Sequence, residues 1–283
     1  MKIVHSPQQM SEACRRLLRR GIDIGLVPTM GALHQGHLSL IDAARRENKA
    51  VVVSIFVNPA QFSPKEDFKS YPRPLKKDLL LCRKSKVDVV FLPAAAGMYP
   101  RGFSTYVEVE KLGRLLCGKS RPVHFRGVAT IVAKLFNLIR PTSAYFGQKD
   151  AQQAIIIKKM AEDLNFPLRI RVLPTVREKN GLAISSRNKY LNKKERKDAL
   201  VLSLALKLAK ALIGRGVRDT KKIISAMRRM IISKKSAKID YISIVDTDNL
   251  FPVKRISGNC LIALAVSIGK TRLIDNIVIT KRG

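Results

Sequence analysis

The fold of this chain is decided by the apolar stretch Ile22–Val27 and the run that follows it, Pro28-Thr29-Met30-Gly31-Ala32-Leu33-His34-Gln35-Gly36-His37. The pattern predicts a buried strand, a glycine-containing turn and the start of an amphipathic helix. At such a junction the unpaired backbone N–H groups and the positive end of the helix dipole attract anions. His34 and His37 lie on one face of the helix start and add imidazole donors. The stretch therefore predicts chemistry at a phosphate group, although a metal pair or two ordinary histidines would fit the same spacing.

Composition limits the class of protein. The chain has 283 residues, enough for one large domain or two modest ones. Its four cysteines lie far apart without CxxC spacing, which argues against a disulfide framework and a structural zinc site. The N-terminus turns polar too soon for a signal peptide, and no apolar run approaches the length of a membrane span. We therefore expect a cytoplasmic protein without a membrane partner.

The formal net charge of +33 raises a different class, a nucleic-acid-binding protein. That alternative predicts tight binding to DNA or RNA with a steep salt dependence. The basic excess is spread over the whole chain, however, without a basic arm or aromatic residues interleaved with basic ones. We interpret it as solvated surface that favours anionic substrates, and expect no nucleic-acid partner.

Strand and helix patterns alternate through residues 1–174, which predicts a Rossmann-like, doubly wound parallel sheet. A smaller α+β domain is predicted for residues 175–283. The predicted strands are Ile22–Thr29, Ala50–Val57, Val87–Leu92, Thr105–Val109, Ala144–Phe146, Leu168–Leu173, Ile239–Val245, Leu261–Val266 and Leu273–Ile279. The predicted helices are 7–20, His37–Glu47, Leu75–Lys84, Val128–Ile139, Asp150–Leu164, Lys193–Ile213 and Thr220–Ile232. Residues 175–188 show no period and are interpreted as a working loop.

Polar residues cluster at three further places. Asn58 and Gln61 follow the second strand of the predicted sheet, at the edge where open α/β sheets bind ligands. Lys149 stands at the positive end of a helix, where a bound anion or Asp150 would offset its charge. The run Ile184-Ser185-Ser186-Arg187-Asn188 could clamp a phosphate. An Asn-Pro turn, a capped helix with a solvated lysine and an ordinary polar turn are the respective structural alternatives.

Together these motifs resemble the pantothenate synthetases, or pantoate–β-alanine ligases, which are cytidylyltransferase-like nucleotidyl transferases. The resemblance covers nearly the whole chain in order. It rests on the stretches Pro28–Leu40, Asn58–Phe62, Tyr71–Arg73, Met98–Pro100, His124–Val128, Tyr145–Gln153 and Thr175–Asn188. It implies ATP-dependent ligation of pantoate and β-alanine through pantoyl adenylate, with release of AMP and pyrophosphate. It also implies a homodimer, and a C-terminal domain that closes over the ATP site.

The resemblance implies roles for individual residues. His34, His37, Lys149 and Arg187 would be the catalytic group, with His37 the usual proton donor. The ATP site would be lined by Met30, Gly31, Ala32, Leu33, His34, Gln35, Gly36, His37, Gly147, Gln148, Lys149, Asp150, Val176, Ile184, Ser185, Ser186 and Arg187. Gln61 and Gln153 would hold pantoate, with Asn58 beside them. Mg²⁺ would bridge the ATP phosphates, with Asp78 as a supporting carboxylate.

Two departures from the family pattern stand out. Ile184 occupies a position where the family usually has Met, and Lys76 and Lys77 occupy a stretch that is often acidic, which leaves Asp78 alone. A different adenylyl or cytidylyl transferase on the same sheet is the rival enzyme class. The pair Gln61 and Gln153 and the Ser185–Arg187 run favour pantoate ligation over it.

Overall fold

The computed structural model describes residues 1–64 and 66–280, which group by their contacts into two compact units. Unit 1 consists of Met1–Arg114, Gly118–Gln148 and Gln152–Pro174. Unit 2 consists of Thr175–Gly283 together with Leu115–Cys117 and Lys149–Ala151. Two short stretches from before residue 174 therefore pack with the C-terminal part of the chain.

Unit 1 is built on a parallel sheet, as the alternating pattern predicts. The sheet has six strands, and the first of them, Lys2–Val4, was not predicted from the sequence. Its strands are β1 (Lys2–Val4), β2 (Ile24–Thr29), β3 (Ala50–Ile55), β4 (Val89–Phe91), β5 (Ser143–Gly147) and β6 (Arg169–Leu173). The order across the sheet is β1-β4-β3-β2-β5-β6. The chain thus moves outward from β2 in one direction and later returns to β5 on the other side. This reversal makes the crevice at the carboxyl ends of β2 and β5 the expected ligand site.

The helices of the first 174 residues cover both faces of this sheet. They are α1 (Pro7–Arg19), α2 (Gln35–Glu47), α3 (Leu75–Lys84), α4 (Ala95–Met98), α5 (Glu110–Gly113), α6 (Cys117–Ser120), α7 (His124–Ile139) and α8 (Ala151–Asp163). Alternate side chains along β3 enter two different cores: Val52 packs with α1, α7 and α8, whereas Val51 and Val53 pack with α2 and α3. A strand buried on both faces explains the near-continuous apolar run. The doubly wound sheet is confirmed.

Two predicted elements are wrong. Thr105–Val109 joins no sheet, and the Val107 N–H donates to the side chain of Thr130 on α7 at 3.0 Å, not to a neighbouring strand. The predicted helix Lys193–Ile213 is broken at Ala199 into α9 (Lys193–Asp198) and α10 (Leu200–Gly214). The Leu202 N–H there reaches back three residues to the Ala199 carbonyl, which tightens the turn.

Unit 2 has an antiparallel three-stranded sheet of β7 (Ala237–Asp246), β8 (Cys260–Ile268) and β9 (Thr271–Ile279), in that order. Its remaining helix, α11 (Thr220–Ile232), has the predicted bounds. Helices α10 and α11 pack with β8 in one apolar core. The smaller α+β architecture is confirmed.

Two further features concern possible membrane-spanning helices and the edge of the parallel sheet. No helix in residues 1–64 and 66–280 is both long and apolar enough to cross a membrane. Strand β6 forms one edge of the parallel sheet, and Arg169 and Arg171 are exposed along it.

Candidate active site

The turn after β2 is held by side chains beneath it. Thr29 at the end of β2 donates its hydroxyl to the Ser54 carbonyl at 2.8 Å and accepts the Gly31 N–H at 3.1 Å. Gly31 and Ala32 both have positive φ, 81° and 51°. A non-glycine residue in this left-handed region costs roughly 1–2 kcal/mol, so the turn needs outside support. A Cβ on Gly31 would also be crowded, since it would lie 3.0 Å from both Asp78 Oδ2 and Ile55 Cγ2.

That support comes from Asp78 on α3. Its carboxylate is 1% exposed and accepts the Ala32 N–H on Oδ2 and the Leu33 N–H on Oδ1, both at 2.8 Å. Burial, followed by the negative charge of Asp78, raises the pKa of the neighbouring Cys82 thiol to about 12. The carboxylate therefore fixes the turn with charge-assisted hydrogen bonds. Two N–H groups that the sequence assigns to anion binding are engaged by Asp78.

The histidine pair stands at the start of α2. His34 is the residue that caps the helix, and its N–H donates to Nδ1 of His37 at 3.4 Å. The two rings stack with their centroids 4.0 Å apart and an interplanar angle of 18°. With Nδ1 accepting, the neutral His37 ring carries its proton on Nε2. Gln35 and Gly36 are the first two residues of the helix, so their N–H groups have no acceptor within it.

A second group of polar residues follows β3. Asn58 caps the short 3₁₀ turn Pro59–Gln61, and its Nδ2 donates to Gln61 Oε1 at 3.1 Å. Gln61 Nε2 lies 3.2 Å from Met30 Sδ. This contact brings together the residues that follow β2 and β3, as their shared sheet edge predicts.

Helix α7 supports this 3₁₀ turn from below. The His124 Nδ1 hydrogen-bonds the Gln61 carbonyl at 2.9 Å, so Nδ1 is the protonated nitrogen when the ring is neutral. The Gly127 carbonyl accepts from Asn58 Nδ2 at 3.0 Å. A Cβ on Gly127 would overlap the Ala60 carbonyl oxygen. Only glycine therefore allows α7 to approach the backbone this closely.

Unit 2 contains a second group of the predicted residues. The Lys149 Nζ lies 3.4 Å from Asp150 Oδ1, and the Lys149 carbonyl accepts from Asn276 Nδ2 at 2.9 Å. Both Lys149 and Asp150 belong to the short 3₁₀ turn that precedes α8. The neighbour of Asn276, Asp275, is 2% exposed and accepts two hydrogen bonds from the Arg177 guanidinium, at 2.6 and 2.8 Å. Strand β9 therefore anchors Lys149 and Arg177 through adjacent residues.

Arg177 belongs to a hairpin, not to a loop without structure. Arg177 bridges Ala183, and the Ile184 N–H donates to the Val176 carbonyl at 3.0 Å. Gly181 turns the hairpin with φ 98°. The hairpin pairs Val176 with Ile184, and Ser185, Ser186 and Arg187 follow it directly. The Ser185 hydroxyl accepts the Arg187 N–H at 3.3 Å and so opens the 3₁₀ turn Ser186–Tyr190.

The structure thus groups the predicted residues by unit. Unit 1 contains Met30, Gly31, Ala32, Leu33, His34, Gln35, Gly36, His37, Asn58, Gln61, Asp78, Gly147, Gln148 and Gln153. Unit 2 contains Lys149, Asp150, Val176, Ile184, Ser185, Ser186 and Arg187. Gln153 lies in the first turn of α8.

Sequence reasoning missed Tyr99, whose hydroxyl donates to Asn58 Oδ1 at 2.7 Å, and the anchoring pair Asp275 and Asn276. The stretches Met98–Pro100 and His124–Val128 matched the family but were given no role. Asp275 carried no signal, because its partner Arg177 is far away in sequence.

A doubly wound sheet with two imidazoles at a helix start after β2, and amides at the adjoining edge, defines a nucleotide-binding α/β enzyme. The family model for pantoate-beta-alanine ligase matches residues 2–278. The chain therefore belongs to the pantoate-beta-alanine ligase family. It is a ligase, and the amide bond it forms joins pantoate to β-alanine.

Individual relatives match over nearly their whole lengths. The pantothenate synthetase of Moorella thermoacetica is 56% identical over 261 residues, 92% of each chain. That of Thermosipho melanesiensis is 52% identical over 279 residues, 99% of each. The crystal structure of pantothenate synthetase from Thermus thermophilus superposes with a TM-score of 0.93 at 42% identity, covering 98% of this chain and 99% of that one.

A further crystal structure includes ligands. The pantoate-beta-alanine ligase of Francisella tularensis, complexed with beta-gamma ATP and beta-alanine, superposes with a TM-score of 0.80 at 35% identity. The match covers 98% of this chain and 97% of that one.

Proposed function

We propose that this chain makes pantothenate in two steps through pantoyl adenylate. A pantoate carboxylate oxygen attacks the α-phosphorus of ATP, and the bond from that phosphorus to pyrophosphate breaks. The β-alanine nitrogen then attacks the acyl carbon, the bond from that carbon to AMP breaks, and the amine loses a proton. The first nucleophile is already ionised, so the step needs alignment and charge stabilisation more than a strong base.

One contact supports this assignment most directly. Gln61 Nε2 and Met30 Sδ lie 3.2 Å apart, so one of the two proposed pantoate residues adjoins the proposed nucleotide turn. A carboxylate held by Gln61 would then be close to a phosphate held at the start of α2. Such alignment of two reactants contributes roughly 7–11 kcal/mol.

We assign the phosphates of ATP to the start of α2. There, Nε2 of neutral His37 is a donor, and the N–H groups of Gln35 and Gly36 point out of the helix. These groups would stabilise the negative charge that develops on the phosphate oxygens. Met30, Gly31, Ala32, Leu33 and His34 would form the remainder of this wall.

We assign further nucleotide contacts to residues around Lys149 and the hairpin. Lys149 and Arg187 would pair with phosphates, with Asp150 near the ribose. Gly147, Gln148, Val176, Ile184, Ser185 and Ser186 would complete the site. The fixed backbones of Lys149 and Arg177 support such preorganised donors, because both are anchored on β9. Closure of residues 175–283 over ATP stays a prediction.

We assign pantoate to Gln61 and Gln153, and a positioning part to Asn58. Asn58 is 1% exposed, and its amide is engaged by Gln61, Gly127, Ala60 and Tyr99. Its contribution would therefore reach the substrate through Gln61.

The side chains that could bind magnesium do not cluster in residues 1–64 and 66–280. The described part of the chain has no group of three or more His, Cys, Asp or Glu residues that could hold a metal ion. Both oxygens of Asp78 accept backbone N–H groups. These residues do not fit a protein-ligated ion, so we propose that Mg²⁺ arrives bound to the ATP phosphates and that Asp78 holds the turn after β2.

We further propose a homodimer located in the cytoplasm. All four cysteines are free and buried, as suits a reducing compartment. DNA and RNA are not among the proposed partners, since every motif described above is better explained by small-molecule substrates.

Labelled pantoate tests the proposal. Purified chain, ATP, Mg²⁺, β-alanine and pantoate carrying ¹⁸O in its carboxylate should give pantothenate and AMP in equal amounts, with one ¹⁸O in the AMP phosphate. The label moves because the attacking oxygen stays on phosphorus when the amide forms. Production of ADP with label in inorganic phosphate, or AMP release that does not depend on pantoate, would contradict the adenylate route.

A further inference from the structure

Two side-chain amides meet in a buried position beside the sheet edge. Asn58 and Gln61 are 1% and 6% exposed, and Asn58 Nδ2 lies 3.1 Å from Gln61 Oε1. A buried amide can present either an acceptor or a donor to a ligand, depending on which way it is turned. Its orientation therefore decides which substrate groups the site accepts.

Backbone groups fix the orientation of Asn58. The Gly127 carbonyl, which can only accept, lies 3.0 Å from Nδ2, and the Ala60 N–H, which can only donate, lies 3.3 Å from Oδ1. If the amide were turned over, its oxygen would face the Gly127 carbonyl and its NH₂ group would face the Ala60 N–H, so both hydrogen bonds would be lost. Asn58 must therefore direct an N–H toward Gln61.

The orientation of Gln61 follows from that of Asn58. Its Oε1 accepts from Asn58, so Nε2 is the atom that faces outward, and it lies 3.2 Å from Met30 Sδ. A thioether is a weak acceptor. A substrate oxygen that displaced the sulfur would form a much stronger hydrogen bond with this buried donor.

Tyr99 forms a further hydrogen bond with the Asn58 amide. Its hydroxyl lies 2.7 Å from Asn58 Oδ1, and since that oxygen can only accept, the hydroxyl donates. Its ring packs between Phe56 and Phe103, with the Lys134 ammonium 5.9 Å from the ring centre. Burial raises the pKa of the Tyr99 hydroxyl well above its ordinary value, so the donor proton is retained throughout the physiological range.

We propose that Tyr99 is a positioning residue that, through Asn58, makes Gln61 a dedicated hydrogen-bond donor for an oxygen of the acid substrate. The inference rests on the proposed function, in which Gln61 binds pantoate. It extends that function to Tyr99, a residue outside the substrate contacts, and states the polarity of the pocket: it takes an acceptor group.

The test is Tyr99→Phe, which removes one hydroxyl and keeps the ring. We expect the KM for pantoate to rise by about threefold to tenfold, as the loss of one hydrogen bond predicts. The KM for ATP should stay within about twofold, because the bonds that hold the nucleotide turn do not involve Tyr99.

Tyr145→Phe is the matched control. Tyr145 is buried, and its hydroxyl, like that of Tyr99, pairs with an asparagine: it accepts from Asn48 Nδ2 at 2.7 Å and donates to Glu47 at 3.0 Å. This variant loses the same atom from the same kind of network elsewhere in unit 1. Its pantoate KM should match the wild type. Thermal unfolding of both variants separates lost stability from lost positioning.

A second variant reverses the polarity. In Asn58→Asp the carboxylate can donate neither to the Gly127 carbonyl nor to Gln61 Oε1. The glutamine would then turn its Nε2 inward and present Oε1 to the substrate, and the lost bond to Gly127 would add to the effect. We expect a larger rise in pantoate KM than in Tyr99→Phe. Wild-type pantoate KM in Asn58→Asp, or equal effects of Tyr99→Phe and Tyr145→Phe, would overturn the inference.

Turnover by the wild type is measured first, because this separates failure of the proposed function from failure of the inference about Tyr99. A wild-type chain that makes no pantothenate refutes the proposed function and the inference with it. An active wild type whose Tyr99→Phe variant changes the KM for ATP and leaves that for pantoate unaltered refutes the inference alone.

Discussion

Asp78→Asn tests whether the buried carboxylate positions the nucleotide turn. The two hydrogen bonds that Asp78 accepts, each at 2.8 Å, have an ionised acceptor. Such bonds contribute about 1.5–3 kcal/mol each. Asparagine keeps one acceptor and places an NH₂ group against the other N–H. It also removes the cost of burying a charge, so we expect a net loss of about 2–4 kcal/mol.

We expect this loss to fall on the turn before it unfolds the protein. Domains are stable by about 5–15 kcal/mol in total, so the variant should fold. Ala32, held at φ 51°, would relax toward an ordinary backbone once its N–H is released. The loss corresponds to a rise in ATP KM of about thirtyfold to several hundredfold. The assay is initial rate against ATP concentration with pantoate and β-alanine saturating.

Asp88→Asn is the control for this prediction. Asp88 Oδ2 also accepts a backbone N–H, from Val51 at 2.7 Å, and pairs with Arg45 at 2.7 Å. It lies at the amino ends of β3 and β4, away from the turn. Asp88→Asn should lower the unfolding temperature and leave the ATP KM unaltered. An ATP KM for Asp78→Asn equal to that of the control would refute the reasoning.

Three further outcomes are expected. In Gly127→Ala the new Cβ would overlap the Ala60 carbonyl oxygen, so the KM for pantoate should rise about tenfold or more in steady-state assays. Gly214→Ala places its Cβ in open space and should leave the KM for pantoate unchanged. Asp275→Asn leaves the Arg177 guanidinium with half of its pair and should cost about 3 kcal/mol in urea unfolding; a cost below about 1 kcal/mol would contradict the pairing described here. Burial raises the pKa of the Cys14 thiol to about 12, so near neutral pH it should react with iodoacetamide only after unfolding, and rapid labelling of the native protein would disprove that burial.

The bounds of most elements could be predicted from the sequence, because the hydrophobic period is a local property. Helices 75–84 and 220–232 agree with prediction at both ends. The predictions failed where a backbone group bonds to a residue far away in the sequence, or to a side chain and not to another strand. Residues 105–109 form no strand, and the Val107 N–H donates to the side-chain hydroxyl of Thr130.

The candidate site was predictable to the same extent. The histidine pair and the amides after β3 stood out as types of residue at strand ends, and the sheet order brings them to one edge. Asp78 stood out only as a carboxylate. That its donors are the N–H groups of Ala32 and Leu33 depends on packing between stretches far apart in the chain, which no local pattern encodes. The same holds for Tyr99 and Asn58.

The edge strand β6 affects how copies of the chain meet in concentrated solution. An edge strand has backbone groups that a neighbouring chain can extend into a continuous sheet. Arg169 and Arg171 are exposed and project from the same face of this edge, so two copies that paired through β6 would bring like charges close together. With a net charge of +33, approaching copies also repel one another at low salt. Pairing of two copies through β6 is therefore disfavoured in the folded protein.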